Sequence, residues 1–106
     1  MAWLLLIVAG LFEVAWASLL AETDGFRRPL PTLGFAVTLA VSMALLAWAT
    51  RTLPVGIAYA VWVGIGAVGT MAVGVGIRHE PTSPANLAAL AALVAAIAAV
   101  KLTAPT

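Results

Sequence analysis

Glu13 is the one ionisable side chain within the first twenty residues, MAWLLLIVAGLFEVAWASLL. About 20 apolar residues in a helix cross a bilayer core of roughly 30 Å, so this carboxyl would sit far from either water phase. An acidic residue near the centre of such a helix costs roughly 2.5–3.5 kcal/mol on insertion scales. A group kept there serves a proton or a cation by default; the plainer alternative is a protonated carboxyl that caps a helix contact. Partners for such a site recur along the chain. Trp16 lies on the helical face of Glu13, with Gly10 and Ala17, and offers an indole N–H and a ring face. Thr38 and Ser42 stand one turn apart, and each hydroxyl either orients a carboxylate or bonds back to its own helix. Ser42, nearer the middle of its segment, is the better candidate. Tyr59 and Trp62 share a face with Gly66. Aromatic faces attract cations by roughly 2 kcal/mol or more in a dry site, and the Tyr59 hydroxyl can donate to Glu13; aromatic packing alone is the alternative. The glycines of this run let helices approach closely or let this helix bend, and Gly64 and Gly66 mark the place for a bend.

The elements that must position these groups follow from composition. Only 8% of the 106 residues are charged and 64% are hydrophobic, whereas soluble domains carry about a quarter charged. A soluble domain is excluded. Four apolar runs give spans at about 2–20, 32–50, 55–77 and 85–101, one four-helix domain over 1–106 and an all-α integral membrane protein. The breaks are AETDGFRRPLP (21–31), RTLP (51–54) and RHEPTSP (78–84), all rich in charge and proline. No Lys or Arg precedes the first run and an acid interrupts it, so it reads as a retained helix rather than a signal peptide. Trp3 and Trp48 suit the interfacial belt. Ala88, Ala92, Ala95, Ala96 and Ala99 make a small-residue surface of the kind that pairs helices in lipid, which assigns the last helix to dimerisation.

Several function classes are excluded. A net charge of +1 offers nothing to nucleic acid. Cysteine is absent and the single histidine, His79, sits in a polar loop without ligands at metal spacing, so no metal or cofactor is expected. No nucleophile–base pair or phosphate loop supports an enzyme.

With four spans both termini lie on one side, together with Arg51 and Lys101; Arg27, Arg28 and Arg78 lie on the other. Three against two is almost no bias for the positive-inside rule. Either a weak but definite orientation or insertion both ways up is open. One four-helix chain is also too thin to enclose and gate a pathway. Transporters often achieve alternating access with inverted repeats, for which this chain has no room. An antiparallel dimer would supply the inversion and bring two Glu13 carboxylates to one mid-membrane cavity.

The length, the four spans, the lone glutamate in the first helix and the string LPVGIAYAVWVGIGAVG resemble the small multidrug resistance transporters over essentially the whole chain. The stretch Gly10 to Ala17, with a tryptophan three residues after the glutamate, is similar to the guanidinium-exporter subtype. That resemblance implies an antiparallel dimer in a bacterial plasma membrane that exchanges protons for a small organic cation. It implies Glu13 as the shared proton and cation ligand, with Trp16, Ser42 and Tyr59 hydrogen-bonding the glutamates and Trp62 lining the cavity. The chain departs from the subtype at Ala21, usually lysine, and at Val63, commonly threonine. A heterodimeric pair stays open. So do export of quaternary ammonium cations, a cation channel, and a non-transporting membrane subunit.

Overall fold

The computed structural model describes residues 1–105. Four α-helices follow one another: α1 (Ala2–Glu22), α2 (Pro29–Ala49), α3 (Val55–Gly76) and α4 (Pro84–Thr103). Each is long and apolar enough to cross a membrane; twenty-one residues at 1.5 Å each give roughly 31 Å, the thickness of a hydrocarbon core. Closed helices are the form such segments must take, because lipid offers nothing to bond a free peptide group.

The helix ends differ from the expected spans around the first break. α1 runs two residues further, to Glu22, and α2 begins at Pro29 rather than Thr32. Prolines near a helix start sacrifice no hydrogen bond, because the first N–H groups have no intrahelical partner. Pro29 and Pro31 therefore open α2 instead of preceding it. Pro84 opens α4 in the same way, behind Ser83, whose hydroxyl oxygen accepts from the Asn86 N–H at 3.1 Å. Between α1 and α2, Thr23 is buried and donates to the Leu20 carbonyl at 2.8 Å. The chain then reverses through Asp24, Gly25 and Phe26, all at positive φ.

Contacts fix the directions. Gly10 meets Ile65, Glu13 meets Gly66 and Val14 meets Gly69, so α1 and α3 run the same way. Ser42 bonds to Ala9, and Gly34 meets Leu19, so α2 runs against α1. Lys101 sits over the Trp3 ring, 5.2 Å from its centroid, which returns the end of α4 to the beginning of α1. Arg51 and Lys101 lie at that end, and Arg28 and Arg78 meet Glu22 at the other. Small residues at the crossings, such as the fully buried Ala9 and Ala58, allow the close van der Waals contact that holds helices together where lipid removes the hydrophobic drive.

The four helices are not equal. α1, α2 and α3 pack on one another, whereas among the described residues α4 brings its backbone close only to α3, reaches α1 through Lys101 over Trp3, and buries none of its own. Gly64 is the seat for Ile97 of α4. Both interfacial tryptophans lie near helix ends: Trp48 is exposed, and Trp3 is half-buried beneath Lys101.

Candidate functional site

Glu13 lies midway along α1, and its carboxyl rests on Gly66 of α3, where any Cβ would coincide with it. The bare backbone of that glycine makes room for the carboxyl. The sequence suggested close approach or a bend at these glycines; α3 is α-helix through Gly64 and Gly66, and both are places of close approach, Gly64 to Ile97 and Gly66 to Glu13. Of the two carboxyl oxygens only Oε1 is sealed from solvent without a partner. The other is not sealed in this way.

Ser42 of α2 is fully buried and joins three helices. Its hydroxyl donates to the Ala9 carbonyl of α1 at 2.8 Å and accepts from the Trp62 Nε1–H of α3 at 3.0 Å. Ala9 is four residues before Glu13, so its carbonyl belongs to the turn that leads up to the carboxyl. Thr38, one turn away on α2, follows the other course open to a membrane hydroxyl and donates to the Gly34 carbonyl of its own helix at 2.7 Å.

Trp62 is only 4% exposed, and the Tyr59 ring lies 5.7 Å from it, tilted by 46°. Tyr59 itself is 57% exposed and turns its ring to the outer face of the bundle. Trp16 sets its ring edge against Phe35 of α2 at 5.9 Å, with its Nε1–H buried and unpartnered. Trp62, Ser42 and the turn below Glu13 thus form one connected set, with Tyr59 as its outer member.

Within one chain, the expected hydrogen bonds from Trp16, Ser42 and Tyr59 to the Glu13 carboxyl are not made among the described residues. The Ser42 proton is committed to Ala9, and Tyr59 faces outward. The candidate residues line neither of two larger hollows. A hollow of about 260 Å³ lies beside Arg51 and Trp48, and an apolar groove of about 400 Å³ lies between α1, α3 and α4. Glu13 borders neither.

Two features escaped sequence reasoning. Gly66 is a seat for the carboxyl, which its place in a glycine-rich run did not reveal. Thr70 keeps a buried hydroxyl without a partner; its signal was available, as a hydroxyl residue inside an apolar span.

At the loop end of α1, Glu22 receives Arg78 at 3.0 Å and Arg28 at 3.6 Å. Arg78 also donates to the Ser18 carbonyl at 2.6 Å.

Comparison with known proteins agrees with this architecture. A family model described as Small Multidrug Resistance protein matches residues 1–94. The chain is 49% identical over 104 residues to a guanidinium exporter of Salmonella typhimurium strain LT2, covering 98% of this chain and 99% of that protein. It is 52% identical over 87 residues to a guanidinium exporter of Citrobacter freundii and 51% identical over 87 residues to one of Escherichia coli strain K12. Each of these two matches covers 82% of this chain and 83% of the relative.

Proposed function

This chain belongs to the small multidrug resistance family, and from that premise we propose that it exports guanidinium or small guanidinyl cations in exchange for protons. The working unit is an antiparallel dimer, a homodimer on the simplest reading, that alternates access across a bacterial inner membrane. The observation that carries this reading is the placing of Glu13. It sits midway along a membrane-length helix, seated on Gly66, with no cation beside it among the described residues and only one of its oxygens sealed without a partner. The names of the relatives supply the cation.

The chemistry suits that cargo. A guanidinium presents five N–H donors in a planar fork when one nitrogen is substituted, and the fork matches carboxylate oxygens two at a time. Two Glu13 carboxylates facing one cavity would take either protons or the cation, and as neighbours they titrate as a unit. Binding of the cation expels protons, and protonation expels the cation. If the empty, doubly ionised dimer does not reorient, that competition alone couples proton movement in one direction to cation movement in the other. Tyr59 offers the outer face a ring surface of the kind that favours a cation, backed by the buried Trp62 ring. Ser42 fixes Trp62 and the turn below Glu13, so it acts on the site through positioning. A bend of α3 at Gly64 and Gly66 belongs to the same proposal as the movement between the two access states.

The test is substrate-triggered current across membranes containing the purified chain, with guanidinium and tetraethylammonium compared under an imposed proton gradient. Current with guanidinium that reverses with the proton gradient is the expected result. Current with tetraethylammonium alone would make the chain a quaternary-ammonium exporter. A reversal potential indifferent to protons would make it a channel. Silence relieved by a second family chain would make it half of a heterodimer.

A further inference from the structure

Four threonines lie within the helices, and three of them bond to their own backbone. Thr32 donates to the Arg28 carbonyl at 2.7 Å, Thr38 to that of Gly34 at 2.7 Å and Thr103 to that of Ala99 at 2.6 Å. Thr70 does not. Its Oγ1 is buried without a partner among the described residues, although a carbonyl four residues earlier is available to any helical threonine. That carbonyl belongs to Gly66, on whose backbone the Glu13 carboxyl rests.

The placing of Thr70 gives this exception a direction. It stands one turn beyond Gly66 and next to Gly69, the two glycines on which Glu13 and Val14 of α1 sit. It is therefore on the side of α3 that faces α1. Side chains on a helix lean towards its N-terminus, so Thr70 leans back towards Gly66 and the carboxyl. Among the described residues the unpartnered buried atoms are Glu13 Oε1, Trp16 Nε1 and Thr70 Oγ1; Glu13 and Thr70 belong to the α1–α3 contact, whereas the Trp16 ring packs on Phe35 of α2. Leaving each unsatisfied is unfavourable in a dry site.

We propose that Thr70 is a positioning residue for Glu13: Thr70 Oγ1 and Glu13 Oε1 are unpaired with each other in this structure, and a turn of the Thr70 side chain brings its hydroxyl to the sealed oxygen of the carboxyl, which leaves the other oxygen for the cation. The proposal rests on the reading of Glu13 as a proton and cation exchanger. A hydroxyl fits this task better than an N–H, because it donates to the ionised carboxylate and accepts from the protonated one. Trp16 can only donate. A further titratable group stands near Thr70: Glu80, from the segment after α3, whose carboxyl rests on Gly74 one turn beyond it. α2 carries none and α3 has only Tyr59, seven residues before Gly66. Lys101 of α4 lies over Trp3, and Glu22 is taken by Arg28 and Arg78 at the loop end.

The test compares wild type with Thr70→Val, Thr70→Ala and Thr70→Ser, each purified in bicelles and checked for helical content. The Glu13 carboxyl carbon is followed by NMR against pH, and guanidinium-triggered current is recorded in parallel. Loss of a donor to the ionised form moves the titration midpoint upward by about one pH unit, equivalent to a tenfold change. That shift is expected in both Val and Ala variants, with Ser at the wild-type midpoint and the Ala variant deciding if Val does not fold. Half-saturation by guanidinium should rise about tenfold with the same pattern. An unmoved midpoint in Val and Ala, or a Ser variant shifted as far as they are, would overturn the proposal. Wild type without current but with the midpoint pattern intact would overturn the transport reading and leave the Thr70–Glu13 bond standing.

Discussion

Glu13 and Glu22 lie on the same helix, nine residues apart, and the chain treats them in opposite ways. Glu22, at the last turn of α1, is given two arginines, Arg28 from the connection to α2 and Arg78 from the connection between α3 and α4. One of them, Arg78, also bonds to the Ser18 carbonyl, so the cluster ties α1 to the start of α2 and the end of α3. Glu13, at mid-membrane, is given a glycine. The costlier position thus has the fewer partners. A fixed ion pair at the water's edge is a tie between elements. On the proposed function, a carboxylate that takes a cargo guanidinium must keep its oxygens free of a resident one, and an arginine placed like Arg78 would fill the site permanently.

The largest test of that contrast is Glu13→Gln. It should remove guanidinium-triggered current altogether while leaving the helices formed, because the amide is nearly the same shape and carries no charge to desolvate. Proton-coupled current in that variant would end the case for Glu13. Next in size is Gly66→Val. The new side chain would occupy the place of the carboxyl, and overpacking of this kind costs about 1–3 kcal/mol. A fall in thermal stability in detergent and at least a tenfold loss of transport are expected. Wild-type behaviour in both measurements would show that the seat on Gly66 is not tight.

The four helices were legible because long apolar runs and proline-rich breaks are one-dimensional signals. The helix start at Pro29 was not, since a proline reads as a breaker until its place in the first turn is known. Glu13, Trp16, Ser42, Tyr59 and Trp62 could be picked by residue type alone. Their partners could not. Thr38 and Ser42 are one turn apart on the same helix, yet one bonds to its own backbone and the other crosses to α1. What separates them is which side of α2 meets α1, and a helix apolar all round carries no stripe to reveal it. Thr70 shows the same blindness from the other side: its residue type was visible, and its unspent proton was not.

The smallest effect belongs to Glu22→Gln. The Glu22 side chain is half exposed, and ion pairs in that setting are worth about 0–1 kcal/mol. Arg78 keeps its bond to the Ser18 carbonyl without the carboxylate, and the glutamine oxygen can still accept from either arginine. Transport should therefore stay within about twofold of wild type, the scale of a few tenths of a kcal/mol. Thermal stability should fall slightly at low salt and match wild type near 1 M, where the screening length is about 3 Å. If Glu22→Gln silenced transport as Glu13→Gln should, the two carboxylates would belong to one pathway. The loop-end arginines would then act on the cation's route rather than on the packing of α1, α2 and α3.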